Sequence, residues 1–225
     1  MCNPSCLAFG ITHLRSKDIS EKRVIEVGAL NVNGSLRSFV ESLRPREYVG
    51  VDLEIGPGVE EICDAARLVA RFGRNSFDVV ISTELLEHIK DWRTVVSNLK
   101  QALTPDGILL LTTRSKGYPY HAAPSDFWRF ELEDMKVIFN DLRIEALEPD
   151  PEAPGVFLTA RKPLSFEEAD LSKYQLYSMI KWKRVAGITD LDVWSYRFRS
   201  LVRHYASIAL PESAKTMIKD KVLHE

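Results

Sequence analysis

Cysteine is scarce in this 225-residue chain: Cys2, Cys6 and Cys63 are the only three, and they cannot all pair with one another. That argues against a disulfide framework and fits a reduced, cytoplasmic setting. No run approaches the roughly 18 apolar residues of a membrane span, and no apolar signal segment opens the chain. Charge of neither sign dominates, since 30 Lys and Arg face 32 Asp and Glu, so nothing general points to nucleic acid or an anionic membrane. Cys2 and Cys6 fall on one face of a helix, but without a second Cys/His pair nearby they make no metal site, and none is expected. Two phosphate signatures are missing as well. A dinucleotide fingerprint needs glycines where Leu30 and Asn33 stand after Gly28, and no Gly-Lys-Ser/Thr run is present.

What is present is an alternation of apolar runs with helical patterns. Residues 1–23 read as a leading helix or arm: an apolar patch (Leu7, Phe9, Ile11, Leu14) followed by charges. The sheet begins at Val24, where an apolar run carrying one carboxylate, Glu26, stops at Gly28. A polar loop with a second glycine, Gly34, follows, and then an amphipathic segment from Leu36 to Leu43. Strand, turn and helix in that order bring backbone N–H groups and a helix N-terminus to a sheet edge, where a nucleotide-like ligand approaches the backbone. Glu26 would repel phosphate and attract an ammonium group.

Further strands are expected at residues 48–53 (ending near Asp52), 77–82, 108–113, 143–147 and 156–160, with helices at 94–103 and 132–139. The stretch 60–72 reads as a short strand followed by a helix, and 104–107 as a turn. The run Ile108-Leu109-Leu110-Leu111 is apolar throughout, as suits the middle of a parallel sheet covered on both faces. The pattern predicts an α/β, doubly wound sheet over 24–162. Pro163 marks a boundary, and residues 163–225 show helical periodicity (Tyr174, Tyr177, Ile180, Trp194, Phe198, Leu201). From Leu171 to the end, ten Lys/Arg oppose five Asp/Glu, so this helical extension is locally basic.

Over 24–162 the chain resembles the class I S-adenosylmethionine-dependent methyltransferases. Glu26 and Gly28, with Gly34 less closely, resemble the family's first motif. Asp52, in Val49-Gly50-Val51-Asp52-Leu53, stands where an acid bonds the ribose hydroxyls. Cys63-Asp64-Ala65 has the form of the adenine-reading turn. Phe77 to His88, ending Ser82-Thr83-Glu84-Leu85-Leu86-Glu87-His88, resembles the fourth strand and its Leu-Glu-His exit, and 99–111 the helix, turn and fifth strand that follow. The resemblance implies a mostly parallel, seven-stranded Rossmann-like sheet. It also implies a cofactor site for S-adenosylmethionine at Glu26, Gly28, Gly34, Asp52, Leu53, Asp64, Ala65, Thr83 and Glu84. The family's middle glycine is replaced here by Leu30 or Asn31.

The second informative stretch is 114–130, with five aromatics and a histidine just past the central strand. It should overhang the cofactor. His121 is the candidate general base, because an imidazole titrates near neutrality and methylation of a hydroxyl requires proton removal. Asp126 is placed to orient it. His88, Tyr118, Tyr120 and Trp128 are candidate substrate walls, an aromatic face near a sulfonium also offering cation–π attraction. The expected acceptor is a small molecule or glycan. A non-catalytic module working through basic aromatic helices, with pairing of two copies there, is the alternative. A nucleic-acid methyltransferase is disfavoured, since neither a Pro-Pro-Tyr/Phe-type tetrapeptide nor a Pro-Cys nucleophile occurs.

Overall fold

The computed structural model describes residues 3–121 and 125–209, with side chains described as far as Val202. Cys2 and part of the 114–130 stretch, residues 122–124, lie outside them. In chain order the elements are α1 (Pro4–His13), α2 (Ser16–Ile19), β1 (Arg23–Val27), α3 (Arg37–Ser42), β2 (Glu47–Asp52) and β3 (Glu61–Ile62). A 3₁₀ turn (Ala65–Arg67) leads into α4 (Leu68–Phe72) and β4 (Phe77–Thr83). A second 3₁₀ turn (Leu86–His88) precedes α5 (Trp92–Ala102), β5 (Leu103–Arg114), β6 (Trp128–Arg129), α6 (Leu132–Ile138), β7 (Arg143–Pro149) and β8 (Gly155–Arg161). The chain then forms β9 (Leu176–Ser178), β10 (Lys183–Val185) and α7 (Asp190–Ala209).

Seven strands make one sheet in the order β3-β2-β1-β4-β5-β8-β7. β1 to β5 pair in parallel, and β8 runs antiparallel to both β5 and β7. This is the doubly wound, mostly parallel sheet expected from the sequence. Its strand order reverses between β1 and β4, the crevice where such sheets collect ligands beyond their C-terminal ends. One face is covered by α1, α2 and α3, whose Cys6, Phe9, Leu14, Ile19, Leu36 and Val40 pack on Val24, Val79, Ile81, Ile108 and Leu110. The sheet residues alternate along each strand, as the two-residue pleat requires. Amphipathic α5 buries Trp92, Val95, Val96 and Leu99, while Asp91 caps its N-terminus by accepting from Thr94 N.

Three features depart from the sequence reading. Residues 104–107 are not a separate turn but an irregular start of β5, where the register with β4 shifts. Asp106 takes φ +63° there, and a Cβ on Gly107 would come within 2.8 Å of Thr104 O. Residues 163–187 are not helical. β9 and β10 form an antiparallel hairpin that adds β6 as a third strand. The reason is visible in β9, where Leu176 and Ser178 are buried and Tyr177 between them is half-buried, a period of two that the spacing of Tyr174 and Tyr177 disguised as a helix. The division also lies later than Pro163. Residues 1–187 form one compact unit and 188–225 another, so the helical extension begins at α7. No described helix is long and apolar enough to cross a membrane.

Candidate active site

β1 ends at the turn expected to hold a ligand. Gly28 adopts φ +84°, a conformation costly for any residue with a side chain, and a Cβ there would meet Leu85 Cδ1 at 3.2 Å. The turn is stitched to β2: Gly28 N and Ala29 N donate to Val51 O at 2.9 and 3.0 Å, and Leu30 N donates to Asp52 Oδ2 at 3.0 Å. Asn31, near the place of the missing middle glycine, closes the loop instead, its Oδ1 accepting from Gly34 N at 2.9 Å while its own N donates to Pro57 O. The Leu-Asn-Val-Asn interior is therefore an ordered alternative to a glycine-rich loop.

Glu26 is 2% exposed and stands in β1 one strand away from Asp52. It accepts from Tyr48 Oη at 2.6 Å and from Ser35 Oγ at 3.1 Å. Burial pushes its pKa above the ordinary carboxylate value, against the opposing pull of those two hydroxyls and of Arg37. Asp52 ends β2, its two oxygens accepting from Leu30 N and Leu53 N. A carboxylate offers about four lone pairs, so each oxygen retains capacity toward a ligand. Leu53 and Ile62 are exposed large apolar residues beside it, and with Cys63, Asp64 and Arg67 they line a cavity of about 420 Å³. Asp64 caps the following 3₁₀ turn through Ala66 N, and Ala65 is buried beneath it.

Thr83 and Glu84 close β4. Glu84 has φ +53°, is buried, and is ion-paired with Arg114 at the end of β5. Burial and then the neighbouring Glu87 raise its pKa well above the usual range, with Arg114 opposing. Cys6 of α1 lies 3.6 Å from Glu84 Oε1 and 3.5 Å from Thr112 Oγ1. Cys6 is thus buried against the ends of β4 and β5, and among the described residues Cys6 and Cys63 form no disulfide.

In the 114–130 stretch, His121 Nδ1 lies 3.0 Å from Asp126 Oδ2, and its backbone N donates to the same oxygen at 3.0 Å. Asp126 is fully buried and held bidentately by Arg129 at 2.5 and 2.6 Å. Burial alone would raise its pKa, but the Arg129 and His121 bonds outweigh it and lower the value to about 2. His88 packs edge-on to His121 with ring centroids 4.7 Å apart, and Tyr118 does the same from the other side at 5.0 Å. Tyr120 is 37% exposed. Trp128 departs from expectation. It is fully buried, with its indole N–H donating to Ile89 O and Lys90 O, so it anchors the insertion to the 3₁₀ turn after β4 and is not a substrate wall.

With this geometry established, the comparisons are direct. A family profile described as Methyltransferase domain matches residues 7–148, more than half of the chain. The chain belongs to the class I S-adenosylmethionine-dependent methyltransferase family. Phosphoethanolamine N-methyltransferase 2 of Caenorhabditis elegans is 43% identical over 146 residues, 58% of this chain and 33% of that one. Ubiquinone biosynthesis O-methyltransferase of Idiomarina loihiensis is 30% identical over 127 residues, 51% and 50% of the two chains. The chain thus spans half or less of these relatives. A crystal structure of 1,6-didemethyltoxoflavin-N1-methyltransferase of Burkholderia thailandensis, with 1,6-didemethyltoxoflavin and S-adenosylhomocysteine bound, shares the fold with a TM-score of 0.55 at 18% identity, over 72% of this chain and 77% of that one.

Several residues of the candidate site escaped the sequence reading. Tyr48 on the next strand and Ser35 in the loop before α3 fix Glu26, and Arg114 and Thr113 at the end of β5 engage Glu84 and Glu87. A polar pair closing the apolar run of β5 was the available signal for the last two. Nothing local marked Tyr48, whose partner is 22 residues away.

Proposed function

We propose that the chain is a methyltransferase that uses S-adenosylmethionine to methylate a hydroxyl of a small molecule or glycan. The observation that carries this reading is the placement of two acids, Glu26 and Asp52, on adjacent parallel strands beside the positive-φ turn at Gly28. Glu26 fits the ammonium end of the cofactor, Asp52 the ribose hydroxyls, and the cavity between Leu53, Ile62 and Asp64 the adenine. Gly28, Gly34, Ala65, Thr83 and Glu84 shape the wall around them. The bound cofactor supplies a methyl carbon made electrophilic by its sulfonium.

The protein's share is alignment and exclusion of water. His121 is the base that accepts the hydroxyl proton at Nε2, Asp126 orients its ring through Nδ1, and Arg129 holds Asp126. Tyr118, Tyr120 and His88 flank the acceptor. The dyad favours oxygen over an amine acceptor, because a neutral amine needs no base to attack.

Calorimetry with S-adenosylhomocysteine tests the cofactor assignment. The intact chain should bind it, and Asp52→Ala should weaken binding about ten- to a hundredfold, the loss expected for charged hydrogen bonds worth about 1.5–3 kcal/mol. Failure of the intact chain to bind would overturn the reading. His121→Ala should lower turnover roughly 10²- to 10⁴-fold with cofactor affinity intact. A second reading, pairing of two copies through α7, is supported by the exposed stripe Leu191, Trp194, Phe198, Leu201 and Val202. Light scattering across a concentration series tests it, and a constant monomer mass would exclude it.

A further inference from the structure

At the C-terminal ends of β4 and β5, three side chains from two separate loops converge: Glu87, His88 and His121. One donor atom from each lies within 4.8 Å of the others. Glu87 is fully buried. Its Oε2 accepts from Thr113 Oγ1 at 2.8 Å, but its Oε1 has no hydrogen-bond partner, an expensive state for a buried carboxylate oxygen. Both imidazoles aim Nε2 at that oxygen, His121 from 3.8 Å and His88 from 3.9 Å.

The opposite nitrogen of each ring faces a second group. His88 Nδ1 is 2.7 Å from Ser125 O. A carbonyl only accepts, so Nδ1 carries the proton and Nε2 the lone pair. His121 Nδ1 lies 3.0 Å from the Asp126 carboxylate but makes no hydrogen bond there. The lone pair of His88 Nε2, the His121 Nε2 atom and the unpartnered Glu87 oxygen thus face one another across gaps too wide for hydrogen bonds, an arrangement that a cation between them would satisfy.

We propose that Glu87, His88 and His121 hold a divalent first-row transition-metal ion. Each ligand already has the outer partner that such sites use to set ring orientation and basicity: Thr113 behind Glu87, the Ser125 carbonyl behind His88, Asp126 behind His121. Bonds of about 2.1 Å to a shared ion bring donor atoms to about 3–3.5 Å of each other, so the observed spacings close with small ring rotations. Two nitrogens and one oxygen suit manganese, iron, cobalt or zinc; magnesium and calcium prefer oxygen alone.

Three protein ligands leave open positions for an oxygen of the acceptor. The site adjoins the cofactor turn through Leu85, two residues before Glu87 and packed against Gly28. This use of the ion rests on the proposed methyl transfer. An acceptor hydroxyl held by the ion would have a lowered pKa and would lose its proton to water, so His121, the base of the metal-free reading, would act in the metal-loaded chain as a ligand.

The test titrates the full chain, stripped of metal by chelation, with cobalt(II), reading visible absorption and calorimetry, and measures S-adenosylhomocysteine binding on the same samples. One cobalt per chain is expected. Glu87→Gln, His88→Gln and His121→Gln should each weaken cobalt about a hundredfold or more, and Thr113→Val roughly tenfold. In the unmodified chain, cobalt should protect His88 and His121, but not His13, from acylation mapped by mass spectrometry, which decides the matter should the variants fail to fold. Absence of cobalt binding, unprotected histidines, or ligand variants that bind as tightly as the parent would overturn the site. A chain that binds cobalt but no S-adenosylhomocysteine keeps the site and refutes the methyl-transfer reading.

Discussion

Lys100, with no solvent exposure, is the residue whose charge is most fully withdrawn from water outside the active site. Its Nζ donates to Ile138 O at 2.6 Å and to Asp141 Oδ2 at 2.7 Å, fastening α5 to the end of α6. Burial lowers its pKa and Asp141 resists that shift. Asp141→Asn is expected to destabilise the fold by about 3–5 kcal/mol, because it strands a buried ammonium. Lys100→Met combined with Asp141→Leu should be near neutral or stabilising. Chemical denaturation of the two variants separates these outcomes, and equal losses would refute the argument. At this scale the sequence was informative where a residue's environment is local: Glu26 and Asp52 stand out because a carboxylate closing an apolar strand requires a reason. For Trp128 it left two readings open, a loop anchor and a substrate wall, since an aromatic in a loop reads alike whether it packs inward or faces a ligand. Only the carbonyls of Ile89 and Lys90, some 40 residues upstream, decide which.

Among the elements, the N-terminal end of α1, whose Cys6 and Phe9 pack on the sheet, is tied down by a single carboxylate. Asp150, just beyond β7, accepts from Ser5 Oγ at 2.6 Å, Asn3 Nδ2 at 3.0 Å and Glu152 N at 2.9 Å, with Arg114 also in contact. Burial raises its pKa, but these donors prevail and the value falls below the ordinary 3.8. A depressed carboxylate pKa contributes stability that is present above the unfolded value and is lost as pH falls through the folded one. α1 should therefore loosen in the acid range below about pH 4. Hydrogen exchange of α1 amides should show the onset, and Asp150→Asn should speed that exchange already at neutral pH and flatten the acid dependence. α1 itself was legible as an apolar patch ahead of the sheet. The hairpin β9/β10 was not, because three-residue strands carry too few alternations to beat a chance helical spacing.

For the whole molecule, the doubly wound sheet could be read from the alternation of apolar runs, and the division of the chain could not, since it depends on contacts between residues far apart. The structure predicts where the chain can be cut. A chain ending at Gly187 should retain cooperative unfolding and S-adenosylhomocysteine affinity. One ending at Lys162 should lose stability, because β6 then lacks its strand partner β9, and Arg93 loses the Leu171 and Tyr174 carbonyls it binds. Thermal unfolding of the two truncations distinguishes them, and equal melting would place the boundary back near Pro163. The acceptor side is knit by main-chain bonds: Phe127 N to Glu87 O at 2.8 Å, and Met179 N to Phe127 O at 2.9 Å. Such a frame is indifferent to the identity of the side chains hung on it. Positions such as Tyr118 and Tyr120 are then open to exchange without reshaping the scaffold, so on the proposed reading acceptor preference can change by substitution there while the turn around Glu26 and Asp52 stays constant.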